Sequence, residues 1–196
     1  MPEPMGRPDQ PAGRYREISG VFTARVLGTR SWDVPAPVPG WAARDVVRHL
    51  VEWLPAFLAS GSAVRLPALP SVDDDPVTAW QVHTDAVQAL LDDPATAGLT
   101  LSNPHIGEIP VDRAIDQFYT SDVFMHTWDL ARATGQDWSP PAAASEESLG
   151  FAPNMLTPDY QGEGKAFAPR ISVPDEAPPL DRLLGLSGRD PAWKPA

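Results

Sequence analysis

The stretch Ile115–Gly135, IDQFYTSDVFMHTWDLARATG, decides how the chain is read. It reads as one long helix closed by a glycine. On a 3.6-residue period, Ile115, Phe118, Tyr119, Asp122, His126, Asp129, Leu130 and Ala133 share one face. That face is apolar at both ends, so it points into a core. Its middle carries three ionisable side chains. Burying a carboxylate or an imidazole without a partner costs several kcal/mol. Asp122 and His126 stand four apart, one turn from each other on the same side. A bound metal ion would satisfy both. So would an ordinary hydrogen bond between them, and the spacing alone leaves both readings open.

Outward from this helix the chain reads as a set of helices joined by stiff connections. Upstream, WAARDVVRHLVEWLPAFLAS predicts a helix over Ala42–Ser60 with Val46, His49, Leu50, Trp53 and Phe57 on its apolar face. Asp45 suits its first turn, and Pro55 is expected to kink it or end its regular part. His49 is a second polar intruder on a core face and completes a three-ligand set with Asp122 and His126. Two histidines and a carboxylate leave open positions on a metal, the arrangement of a catalytic site. A helix over Tyr15–Thr29 precedes it, separated by PAPVP at 35–39, which forces an extended connection. Asp75 and Pro76 form an N-cap and first-turn pair for a helix over Pro76–Asp92. There His83 reads as a core-edge histidine. Residues 97–111 read as a small hairpin or an irregular loop, from which His105 could reach a cavity mouth. Further helices are expected over Pro141–Met155 and Pro179–Leu186. Residues 1–13 read as a disordered N-terminus and 14–196 as a single domain. Trp53, Trp128, Phe124 and Tyr119 could line an aromatic pocket, with plain core as the alternative for each.

Composition narrows the function classes. Of 196 residues 42% are hydrophobic, enough for a globular core. The net charge of −11 and the absence of a basic patch argue against nucleic acid and anionic membranes as partners. With no cysteine there is no disulfide, thiolate metal site or cysteine nucleophile, so any thiol must arrive with a substrate. No apolar run reaches the roughly 20 residues of a membrane-spanning helix. The sequence MPEPMGRPDQPAGR lacks a signal-peptide core, so a cytoplasmic location is expected.

Three segments carry a resemblance: PAPVPGWAARDVVRHLVEW, SDVFMHTWDLARATGQDW and LDRLLGLSGRDPAW. Together they resemble the DinB/YfiT-like superfamily. The likeness is to an actinobacterial branch similar to the N-terminal domain of mycothiol-dependent maleylpyruvate isomerase. It spans roughly residues 15–193. It implies a mainly α fold, an antiparallel four-helix bundle with a divalent metal at one end, here joined by long proline-rich connections. Carried over, the ligands are His49, Asp122 and His126, with Asp129 supporting them from behind. Zinc is the first metal implied and nickel the second, with mycothiol as a cosubstrate. The implied activity is a metal-dependent thiol S-transferase or isomerase acting on a small electrophile, as a monomer or homodimer. The alternatives are a metal- or ligand-binding stress protein without turnover, and a biosynthetic enzyme with a reshaped pocket. The chain departs from the family where aspartate, Asp122, replaces the usual glutamate, one methylene longer. Ala42 replaces the usual Ser or Thr ahead of the second helix, leaving Asp45 alone of that capping pair.

Overall fold

The computed structural model describes residues 10–165 and 167–195. The protein is mainly helical. Its helices are α1 (Pro11–Gly28), α2 (Ala43–Gly61), α3 (Pro76–Asp92), α4 (Val111–Ala114), α5 (Ser121–Thr134), α6 (Ala142–Met155) and α7 (Pro179–Leu186). A π-helical turn, Ile115–Thr120, joins α4 to α5 without a break. Strands β1 (Thr100–Asn103) and β2 (Gly107–Pro110) form one antiparallel hairpin, with Leu101 opposite Ile109.

Four helices close a ring: α1 packs on α3 and α5, and α2 packs on the same two. Inside it lie Tyr15, Phe22, Val46, Leu50, Leu54, Trp80, Ile115 and Tyr119, all fully buried. The helix boundaries follow local chemistry. Asp75 accepts from the Thr78 backbone N–H at 3.0 Å and Pro76 follows it, the expected start of α3. In α2 the Asp45 carboxylate accepts from the Ala42 N–H at 2.8 Å, keeping one half of a capping box. Helix α5 ends at Gly135, whose φ of +67° needs glycine. There Gln136 N–H reaches back to the Ala131 carbonyl at 2.9 Å.

The structure corrects several expectations. Helix α1 begins at Pro11, inside the segment expected to be disordered; residues 1–9 lie outside the described residues. Proline at the first position costs no hydrogen bond, and the Gln88 amide holds the Ala12 carbonyl at 3.2 Å. Tertiary contacts thus extend the helix beyond its local signal. Helix α2 runs through Pro55 to Gly61. It carries two adjacent stripes in place of one apolar face. Val46, Val47, Leu50, Leu54 and Leu58 are buried, while His49, Trp53 and Phe57 lie beside them, half-buried.

Helix α5 also differs. Every residue from Ser121 to Ala131 is buried, so no face of that stretch meets solvent. The ring covers one side, and α6 and α7 cover the other through Met125, Ala152, Leu156 and Leu183. The π turn sets α5 out of register with the residues before it, so a constant period misplaces the face. Tyr119 enters the core while Phe118 lines a cavity.

His83 is buried, and its Nε2 pairs with the Tyr119 hydroxyl at 2.8 Å. Its Nδ1 has no hydrogen-bond partner among the described residues. Burial lowers its pKa from 6.5 to about 4. The folded chain therefore resists a proton that the unfolded chain accepts below pH 6.5. Stability should be full above that value and fall as the pH drops towards about 4. The loss from this residue amounts to up to about 3 kcal/mol. Urea unfolding between these limits should show His83→Gln losing less stability with acid than the parent. Parallel curves would exclude His83 as the cause.

Candidate metal centre

His49, Asp122 and His126 come together from α2 and α5. His49 Nε2 lies 2.9 Å from Asp122 Oδ2, and His126 Nε2 lies 3.4 Å from Asp122 Oδ1. The two imidazole rings are 4.7 Å apart. One ligand atom from each residue falls within 4.8 Å of the others. Among the described residues this is the one such group of three. Ligands about 2.05 Å from a shared tetrahedral centre stand about 3.3 Å from one another. The two histidine–aspartate separations, 2.9 and 3.4 Å, fall on either side of that value, each to a different oxygen of Asp122. The shorter aspartate therefore reaches both histidines.

Protonation states favour cation binding. Burial opposes the charge on Asp122, but the imidazoles of His126 and His49 outweigh it and hold the carboxyl at about 2. Burial lowers the His126 pKa against the pull of Asp122 and Asp129, so the ring gives up its proton more readily than a free imidazole. A carboxylate and a neutral imidazole are the forms a metal requires.

The support behind the ligands is extensive. His126 Nδ1 lies 2.7 Å from Asp129 Oδ2, with its N–H aimed off the oxygen. So short a distance to a carboxylate places the proton on Nδ1 and leaves Nε2 facing Asp122. Asp129 is fully buried and receives Arg189: Nε donates at 2.9 Å to Oδ1, and Nη2 donates at 2.7 Å to Oδ2. Burial raises the Asp129 pKa, and Arg189 and His126 more than reverse it. Trp53 Nε1–H donates to Asp122 Oδ2 at 2.9 Å. The Trp41 ring stacks on His126 at 5.8 Å and 14°, and lies 5.2 Å from His49. A closed turn presents it: Ala36 N–H meets the Trp41 carbonyl at 2.8 Å, and Pro35 pairs with Ala42.

The three residues open onto a cavity of about 850 Å³. Trp41, Trp53, Phe57 and Phe118 form one wall, and Tyr160, Phe167, Ala168 and Pro169 another. Asn103 and Ile106 reach it from the β1–β2 hairpin. That hairpin lies against the end of α2, where a side chain at Gly61 would strike the Ser102 carbonyl. His49 is one-third exposed whereas Asp122 and His126 are buried, so access to the site is past His49.

Asp129 stands where the sequence placed it, behind His126. Of the four aromatic candidates, Trp53 alone lines the cavity. Tyr119 is core, Phe124 packs on Trp138 at 5.2 Å, and Trp128 is buried under Arg132. His83 is in the core, and His105 is exposed, its ring 5.9 Å from that of Tyr160. Sequence reasoning missed the contacts of Trp41, Trp53 and Arg189 with this cluster. Trp53 had a signal, standing four residues after His49 on one helix. Arg189 lies in one of the segments that carry the resemblance, but nothing in its spacing pointed to a partner 60 residues away.

The chain is 30% identical over 184 residues to "Uncharacterized protein Rv0738" of Mycobacterium tuberculosis strain H37Rv, covering 91% of this chain and 97% of that protein. "Uncharacterized protein MT0763" of strain CDC 1551 matches to the same extent. The chain belongs to the family of these mycobacterial proteins. No family model matches it, and no solved structure matches it. Among the described residues, no helix is long and apolar enough to cross a membrane.

Asp129→Asn tests the support behind His126. Loss of a partner of this kind weakens metal binding by about 10- to 100-fold. It also strands the Arg189 charge, at about 3–5 kcal/mol of stability. Competition against a chelator should show the first effect and thermal unfolding the second. Unchanged metal affinity would remove Asp129 from the site.

Proposed function

We propose that the protein is a metal-dependent enzyme of the DinB/YfiT-like type, a thiol S-transferase or isomerase acting on a small electrophile. The ring of α1, α2, α3 and α5 is read as the four-helix bundle of that superfamily. The observation that carries the proposal is the convergence of an ionised carboxylate and two imidazoles at one end of an aromatic-walled cavity. The ion is zinc first and nickel second, held by His49, Asp122 and His126.

When bound, a divalent ion in this set supplies a positive centre with open positions, at which a thiol is held as thiolate at neutral pH. The chain's own residues do the rest. Asp129 orients His126 and fixes its proton at Nδ1. Trp53 orients the Asp122 carboxylate. The aromatic walls exclude water and hold the apolar part of an electrophile. The thiol itself, mycothiol in this reading, comes from solution, since the chain has no cysteine.

One observation favours a second reading. His49 and Asp122 already satisfy each other at 2.9 Å. A pocket reshaped for chemistry or binding without a metal would keep that bond.

Cobalt reconstitution separates the two. Parent protein should take up one cobalt per chain, and His49→Ala or His126→Ala should abolish uptake. Mycothiol or cysteine should then produce a sulfur-to-cobalt charge-transfer band in the near ultraviolet. Stoichiometric cobalt with an unchanged spectrum at saturating thiol would end the thiol-transfer reading. Failure to bind any divalent ion would favour the reshaped pocket.

A further inference from the structure

Arg189 is only 7% exposed, yet it lines the cavity. Asp129 takes its Nε and one edge of Nη2. Its hydrogen bonds to described residues all run from Nε and Nη2, and none from Nη1. A guanidinium carries five N–H donors in a planar fork. Two serve Asp129. The end formed by Nη1 and the second hydrogen of Nη2 remains open, with the geometry that matches a second planar oxyanion.

Charge balance points to the same kind of ligand. Arg189 and Asp129 cancel. With a divalent ion present and before any thiolate joins it, Asp122 offsets one of its two charges, leaving one positive charge uncompensated. Glu163 and Lys165, also on the cavity, offset each other. An aromatic-walled space solvates a residual charge poorly, so a monoanion beside it is favoured. A phosphate at neutral pH carries more charge than the balance requires. The walls formed by Trp41, Trp53, Phe57 and Phe118 suit an apolar or aromatic body.

We propose that the cavity takes an apolar or aromatic molecule bearing a single carboxylate, gripped by the open end of Arg189 beside the metal position. The proposal rests on the metal reading and specifies the substrate class for it. Arg189 then has two roles: one edge holds Asp129 in place, and the other selects the ligand.

Zinc-loaded protein is titrated calorimetrically with benzoate, its neutral isostere benzamide, and inorganic phosphate. Benzoate should bind, with benzamide and phosphate each at least about tenfold weaker. Arg189→Lys keeps a cation opposite Asp129 but loses the fork. It should weaken benzoate by about tenfold or more at saturating zinc and leave benzamide unchanged. Benzoate should also shift the Arg189 side-chain nitrogen resonances of the parent, a readout that needs no folded variant. Zinc uptake with equal affinity for benzoate and benzamide overturns this inference and leaves the metal reading intact. So does phosphate binding as tightly as benzoate, or benzoate binding that leaves the Arg189 resonances unmoved. A chain that takes up no zinc overturns both, since the charge to be balanced is then absent.

Discussion

Asp129 is fully buried on a helix that is itself surrounded, and a carboxylate in that position stays ionised only if something charged meets it. Arg189 does so, from the far end of the chain, with both side chains held in a bidentate pair. This constraint ties the pieces of the fold together. It requires the segment after α7 to return to α5, which places Ser187, Gly188 and Arg189 on the cavity. It fixes Asp129, and through Asp129 it fixes the ring of His126. A buried pair of this kind adds little net stability compared with an apolar replacement, while breaking it is costly. Its presence is therefore better explained by what it orients than by what it stabilises.

Helix α2 shows how one element serves core and site together. Its buried stripe, Val46, Leu50, Leu54 and Leu58, closes the ring, and the neighbouring stripe, His49, Trp53 and Phe57, faces the cavity. The two are about a hundred degrees apart on the helix, so packing of the first sets the direction of the second. His49 and Trp53 then meet the same oxygen of Asp122, each at 2.9 Å. The two donors approach the carboxylate from successive turns of α2, which defines its rotation more tightly than either would alone.

Much of this was legible from residue types and spacing. Asp122, His126 and Asp129 announced themselves as ionisable groups among apolar neighbours, and the start of α3 and the end of α5 followed from capping chemistry. The mainly helical class and the three-residue cluster both follow from those signals. What was not legible depends on contacts between distant segments. A period of 3.6 cannot report a π turn, because no residue in Ile115–Thr120 declares one. Nor could it show that α6 and α7 would bury the outer side of α5, since that side, with Thr127 and Arg132, reads as only weakly polar. Trp41 sits in a proline-rich connection that predicts an extended strand and gives no hint that its indole will stack on His126.

Asp122 and His49 make a hydrogen bond in the same place where a metal would sit, and magnitudes decide which arrangement prevails. A hydrogen bond to a charged group is worth about 1.5–3 kcal/mol net. Structural zinc sites with a full protein ligand set bind with about 10–16 kcal/mol at neutral pH. Three ligands, one of them a third exposed, will yield less than that, but the surplus is large compared with one hydrogen bond. On the metal reading proposed above, the His49–Asp122 bond is the contact that an entering cation would replace. It keeps the buried carboxylate partnered while Asp129 and Trp53 hold the remaining donors and acceptors in register for the exchange.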